Sequence, residues 1–278
     1  MKSDCQKIWM GDFEGKEVKI GRSFDAVMVC QFRGADFSRG GRSERWRNKT
    51  FSECDFTEAD LTGVHAYGCR FEWCDFVRTR LAKFGMGSGR KPSVYEHCLF
   101  QEVKLREVGR CTFIDCRFVN CDFEGVDFGW SYFRDVVFMG EVANCVFGVG
   151  EATRGGESNR MEGVSFEEAV LRGVRFSGGV GLDGVGWPKR GVYAYFSDFR
   201  TQCDSLIGQA GSRSVESEEL KRFWEIFARD ERQRTYLINL EELSDSLGFQ
   251  ERTIRLIWDC ADWVLLDGEK LPAMAGVE

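Results

Sequence analysis

Large apolar residues recur at every fifth position over most of this chain. From Phe51 they fall at Phe51, Phe56, Leu61, Phe71, Phe76 and Leu81, with Ala66 at the intervening step. The spacing returns at Phe113, Phe118, Phe123, Phe128, Phe133 and Phe138, and again at Phe166, Leu171 and Phe176. Fragments of it appear at Phe32 and Phe37, at Phe100 and Leu105, and at Phe147. A small residue stands two before many of these centres, as at Cys54, Ala59, Val64, Cys69, Cys74 and Thr79. An aspartate often stands one before, as at Asp55, Asp60, Asp75, Asp122 and Asp127. A glycine often stands two after, as at Gly34, Gly63, Gly125, Gly173 and Gly178.

A period of five suits neither regular element. On a helix, five residues advance about 500°, so the apolar stripe drifts and covers no single face. On a flat strand, five residues reverse the side of the sheet on which a side chain lies. A chain that turns a corner in every pentad resolves both conflicts. Each large residue then points to one axis, the small residue two before it fills the space alongside, and the aspartates face out. The glycines fit corners that need an unusual backbone conformation.

The strings CDFTEADLTG and CDFEGVDFG resemble the pentapeptide-repeat proteins, whose repeat reads A-(D/N)-L-x-x. The resemblance covers roughly Phe24 to Phe199. It implies a mainly β fold, a right-handed quadrilateral β-helix with twenty residues per coil, followed by a small α-helical C-terminal module. Twenty-residue stacking then predicts ring ladders: Phe51 over Phe71, Phe56 over Phe76, Phe113 over Phe133 and Phe118 over Phe138. At about 4.8 Å per rung, about 23 pentads in roughly six coils make a rod on the order of 25–30 Å long. The expected organisation is an N-terminal cap segment over 1–23, the coil over 24–212, and an acidic helical module over 213–278. This chain departs from the family pattern in preferring Phe to Leu and often Cys to Ala.

Composition sharpens this picture. The 278 residues include 32 Gly, 24 Phe and 12 Cys but only 2 His. Cys30, Cys54, Cys69, Cys74, Cys98, Cys111, Cys116, Cys121 and Cys145 all sit two before a centre. They read as small buried hydrophobes rather than metal ligands, since C-x4-C matches no common zinc spacing. Reduced thiols point to a cytoplasmic protein, and the first residues lack the apolar run of a secretory signal. The histidines, His65 and His97, fall beside centres with no nucleophile arranged near them in sequence. No catalytic residue, metal or cofactor is expected, and no membrane span. All of the net charge of −7 falls in residues 215–278, which hold 8 Lys+Arg against 15 Asp+Glu.

Function is expected where the repeat is interrupted. Insertions fall near 38–49, 83–94 and 148–160. The first carries Arg39, Arg42, Arg45, Arg47 and Trp46, types common in binding hot spots. The second carries Arg90 and Lys91, and the third Arg154. The second is Gly-rich but lacks the G-x4-G-K-[ST] pattern of a phosphate-binding loop. From Val215 the apolar period becomes helical. Trp224, Phe227, Trp258 and Trp263 could cap the open coil end, form a homodimer seam or meet another partner. Leu243 to Ile257 also follows the order of a helix-turn-helix, but its acidity argues against direct nucleic-acid binding. The resemblance extends to quinolone-resistance members of the family, described as acidic DNA mimics that act on DNA gyrase or topoisomerase IV. It implies a non-enzymatic modulator of such a topoisomerase, giving protection against a drug or toxin. A general scaffold with another protein partner, or a DNA-binding regulator, are the alternatives.

Overall fold

The computed structural model describes residues 8–20, 24–38, 44–87, 92–148, 161–176, 182, 184–209, 215–227 and 235–272. Short strands separated by bends wind into a four-sided parallel β-solenoid. On the first side, eight strands stack in order from Ile8–Asp12 through Ala26–Gln31, Thr50–Ser52, Arg70–Glu72, Ser93–Glu96, Cys111–Ile114 and Tyr132–Arg134 to Met161–Glu162. The second side stacks Asp75–Val77, Leu99–Gln101, Arg117–Val119, Val137–Ala143 and Ser165–Arg172. The third side is marked by the bridges Glu17 to Asp36 to Asp60 to Arg80. The fourth pairs Arg45–Arg47 with His65–Tyr67, and Val146–Phe147 with Arg175–Phe176. Residues Ile8 to Ile20, expected to form a separate cap segment, make the first coil: Trp9 lies over Val27 and Glu17 over Asp36.

The predicted ladders are present. Phe51 stacks on Phe71 with centroids 4.7 Å apart, and Phe56 on Phe76 at 5.1 Å. Phe113 lies 5.4 Å from Phe133, and Phe118 5.0 Å from Phe138. On the second side they extend into one unbroken column: Phe13, Phe32, Phe56, Phe76, Phe100, Phe118, Phe138 and Phe166. Successive rings are 4.8 to 5.4 Å apart and tilted by 3 to 23°. A parallel first-side column runs Phe51, Phe71, Tyr95, Phe113, Phe133. Rings of the two columns meet edge to face, as Phe113 and Phe118 do at 5.3 Å and 72°. Both geometries suit the aromatic quadrupole.

The positions around each centre have distinct tasks. The residue two before it reaches back to a carbonyl of the preceding coil. The Sγ of Cys74 donates to the Phe51 carbonyl at 3.6 Å, that of Cys98 to Phe71 at 3.5 Å, and that of Cys116 to Tyr95 at 3.3 Å. Thr79 Oγ1 does the same to Phe56 at 2.8 Å and Ser93 Oγ to Ala66 at 3.2 Å. The cysteines are therefore more than alanine substitutes: they are small donors that satisfy buried acceptors. Burial pushes the Cys121 thiol up to about 11 and that of Cys145 to about 12, which keeps the donating proton in place. The aspartate one before the centre closes the corner that follows. Asp55 Oδ1 accepts from the Thr57 amide at 2.8 Å and Asp60 Oδ1 from Thr62 at 2.9 Å, each a side chain standing in for a backbone turn.

The corner residue two after the centre is left-handed almost without regard to its identity. Gly63 and Gly125 have φ of 73° and 75°, as expected, while Gly178 lies outside the described residues. The same conformation is forced on Glu53, Glu58, Trp73, Arg78, His97, Glu102, Asp115 and others. Of the described non-glycine residues with positive φ, all but Asp267 occupy this corner.

The interruptions are narrower than the phase breaks implied. Glu44, Trp46 and Lys49, placed by the spacing in the first insertion, occupy coil positions. Trp46 and Lys49 are buried. Likewise Phe84, Met86 and Ser93 of the second insertion lie in the core.

The C-terminal residues form strands as well as helices. The helices are α1 (Phe199–Gln209), α2 (Val215–Phe227), α3 (Leu240–Asp245) and α4 (Glu251–Cys260). Between and around them, strands Val192–Phe196, Thr235–Asn239, Trp263–Leu266 and Glu269–Pro272 extend the fourth side. Thr235–Asn239 runs antiparallel along the last coil strand, pairing Arg175 with Tyr236 and Phe176 with Thr235. An antiparallel strand thus covers the edge that a parallel stack leaves open. Asn239 ties both parts together. Its Oδ1 accepts from Glu241 and Glu242 at the start of α3, and its Nδ2 donates to the Leu171 carbonyl at 3.4 Å.

Val29 tests the corner constraint. It is β-branched, 45% exposed, and held at a φ of 49°. Left-handed strain costs about 1–2 kcal/mol, while glycine gives back about 0.5–1 kcal/mol in unfolded-state entropy. Val29→Gly should therefore stabilise the fold by about 0.5–1 kcal/mol, seen as a higher urea midpoint. A lower midpoint would contradict the strain.

Candidate interaction surface

The coil interior offers no room for a ligand among the described residues, so chemistry is confined to its outer surface and to the C-terminal helices. At the base of the first insertion, Glu44 turns inward where a small residue usually stands. Its Oε1 accepts from Trp46 Nε1 at 3.0 Å and from the Ile20 amide at 2.7 Å. Burial raises its carboxyl. Lys49 occupies the next inward slot and donates to the Phe24 carbonyl, and burial lowers its ammonium. Trp46 is fully buried, 4.7 Å from Phe51 and 5.6 Å from Phe37. It is a core residue and presents nothing to a partner. Arg45 and Arg47 are exposed on either side of it, with Arg47 5.3 Å above the Tyr67 ring. Arg39, Arg42, Arg90, Lys91 and Arg154 lie outside the described residues.

The four C-terminal aromatics separate into two groups. Trp263 stacks on Tyr195 at 4.5 Å and meets Trp187 at 5.7 Å, and Trp187 lies over Phe166 at the end of the second-side column. Trp263 therefore closes the column. Trp224, Phe227 and Trp258 pack instead in a second core between the helices and the outer face of the terminal sheet. Trp258 remains half-exposed beside a shallow trough lined by Leu240, Glu241, Ser244, Asp245 and Ile254. α3, a turn at Gly248 with a φ of 68°, and α4 do reproduce a helix-turn-helix order. On α4, however, Arg252 is paired with Glu216 and Arg255 with Asp259. Those pairs leave little positive field for phosphate.

A surface that the sequence reading passed over lies on the corner between the first and second sides. Trp73 is 61% exposed there with a φ of 55°. Its ring stacks on His97 at 4.0 Å and 15°. His97 Nδ1 is 2.8 Å from Asp115 Oδ2, and its Nε2 is 4.0 Å from Glu96. Glu53 precedes Trp73 in the same column of corners, since Ser52 pairs with Glu72. The signal was present in the repeat: Trp73 stands two after the centre Phe71, where every side chain points outward. On the third side, by contrast, the acids are paired. Arg80 reaches Asp60 at 3.3 Å, and Arg106 reaches Asp122 at 2.6 Å and holds that carboxyl down at about 2.

Neither histidine hydrogen-bonds a Ser, Thr or Cys among the described residues. Among those residues, no group of three or more His, Cys, Asp or Glu could hold a metal ion. Among the described residues, no helix is long and apolar enough to cross a membrane.

The sequence model of the family described as pentapeptide repeats matches residues 50–82, in 8 copies. Among solved structures, the chain is similar to QnrB1, a plasmid-mediated fluoroquinolone resistance protein, with 15% identity over 62% of this chain and 92% of that one, at a TM-score of 0.32. It is also similar to HetL, a pentapeptide-repeat protein involved in heterocyst differentiation regulation from the cyanobacterium Nostoc sp. strain PCC 7120. There the identity is 13% over 66% of this chain and 84% of that one, at a TM-score of 0.20. No curated protein matches the chain.

Trp263→Ala should open the end of the column and lower the unfolding free energy by about 2–3 kcal/mol. Trp258→Ala, at the half-exposed trough, should cost under about 1 kcal/mol. Urea denaturation followed by circular dichroism compares them. Equal losses would contradict the capping role of Trp263.

Proposed function

We infer that this chain, a member of the pentapeptide-repeat family, is a non-catalytic solenoid that works by binding another protein through its outer surface. One observation carries this reading. The axis is filled along its length by aromatic rings in mutual contact, 4.8 to 5.4 Å apart on the second side. A rod without an internal cavity can present only rows of side chains at rung spacing, together with the loops that interrupt them.

DNA gyrase is the partner we put first. The support is the sequence resemblance: a loop-interrupted coil of CDFTEADLTG-type pentads followed by C-terminal helices. On this reading the insertion after Phe37 is a contact element, with the exposed Arg45 and Arg47 at its base. A test by deleting residues 38–49 would also remove buried Trp46 and Lys49, so it would report on folding. A variant combining Arg39→Ser, Arg42→Ser and Arg45→Ser retains both buried residues.

Purified protein should inhibit gyrase supercoiling, or protect gyrase from a fluoroquinolone, and the triple variant should lose about tenfold in potency. Absence of any effect at large molar excess would overturn the gyrase reading. An equal effect from the triple variant would overturn the role of the first insertion.

A further inference from the structure

We propose that the corner bearing Trp73 receives an arginine side chain of a partner protein, stacked on the open face of the indole and held by the Glu53 carboxylate. This rests on the reading of the chain as a protein-binding solenoid and adds the chemistry of the partner.

The corner column runs Glu53, Trp73, His97, Asp115, Asp135, one residue per coil, each with positive φ. His97 covers one face of the Trp73 ring at 4.0 Å. The other face looks toward the coil of Glu53. At 61% exposed, that indole is among the most exposed large apolar side chains of the described residues. A bulky aromatic at a left-handed corner is strained as well as exposed, so nothing in folding favours it there.

The chain's own treatment of tryptophan identifies the missing group. Each half-exposed indole of the C-terminal region carries a cation from the same chain: Arg200 lies 5.8 Å from Trp224, Arg255 5.8 Å from Trp258 and Lys270 4.3 Å from Trp263. Among the described residues, no cation lies over Trp73. The guanidinium of Arg70, on the same coil, is engaged by Glu72 and Glu96. Glu53 is exposed and makes no ion pair among the described residues. Glu72 and Glu96 share the one guanidinium of Arg70, and Asp135 makes no ion pair among the described residues, so acids outnumber that cation here. An open π face next to a free carboxylate, in an acidic field, fits a cation. A planar guanidinium can stack on the ring and hydrogen-bond the carboxylate at once, which an ammonium cannot do. Met10 and Val29, 60% and 45% exposed, continue the same edge toward the first coil and would lie under the partner's apolar flank.

The test uses the full chain with a tetra-arginine peptide, and tetra-lysine for comparison. One indole N–H resonance should shift saturably with tetra-arginine, and that resonance should be absent from Trp73→Ala. Binding should weaken about threefold to fivefold in Trp73→Ala and by a smaller factor in Glu53→Gln. Trp130→Ala, which removes another exposed indole, should bind as the wild type does. Tetra-lysine should bind more weakly than tetra-arginine. Equal affinity of Trp73→Ala and wild type would overturn the proposal, as would a shift confined to another indole or no saturable binding at millimolar peptide. Because gyrase takes no part, such a failure leaves the gyrase reading standing, and a negative supercoiling assay leaves this one standing.

Discussion

Each coil is fixed to the next by rings that must lie flat on one another. A ring spacing of about 5 Å is close to the distance between hydrogen-bonded strands, so a phenylalanine at every fifth position satisfies backbone and core together. The second-side column of eight phenylalanines runs from Phe13 to Phe166. Everything else accommodates that register. Corners become left-handed because the chain must turn ninety degrees or so before presenting the next inward residue. Aspartates close those corners, and short thiols or hydroxyls donate to carbonyls of the preceding coil. The register continues across the interruptions: Val27 still lies over Phe51, and Phe71 over Tyr95.

The same constraint divides the surface into kinds. Positions beside each centre lie on the flat sides and can pair along the rungs, as Arg80 does with Asp60 and Lys104 with Asp122. Exposed pairs of this sort contribute little stability. Corner positions project furthest and are free of packing duties, so their identity is open to function. Trp73 and Trp130 occupy such corners. The C-terminal end is sealed twice, by the antiparallel strand Thr235–Asn239 at its edge and by Trp263 over its core.

Much of this was legible in the sequence because the period is strict. The ladder partners, the inward small residues and the left-handed glycines all follow from counting in fives. Counting failed where a charged residue took an inward slot. Glu44 and Lys49 made the stretch around Trp46 look like a solvated loop, although each is held there by hydrogen bonds rather than by burial of apolar surface. It failed again at the first coil, where the phase of Phe13 and Val18 is lost before Phe32. In the C-terminal region the helical stripe of α2 was plain, but the runs Thr235–Asn239 and Trp263–Leu266 are short and flanked by helices. Their pairing with the coil is a long-range contact that no local period reports. Trp73 was in phase, but a repeat reading looks inward and gives no weight to what stands at a corner.

The claim on which the rest depends is that ring stacking, and not apolar volume alone, holds the register. Phe100 is fully buried between Phe76 and Phe118, 4.8 Å from each. The direct measurement is the unfolding free energy of Phe100→Leu and Phe100→Ala by urea denaturation. Alanine should cost about 3–5 kcal/mol. Leucine, nearly conserving volume but breaking two stacks, should cost about 1–3 kcal/mol. A leucine variant as stable as the wild type would contradict the account, because volume alone would then suffice.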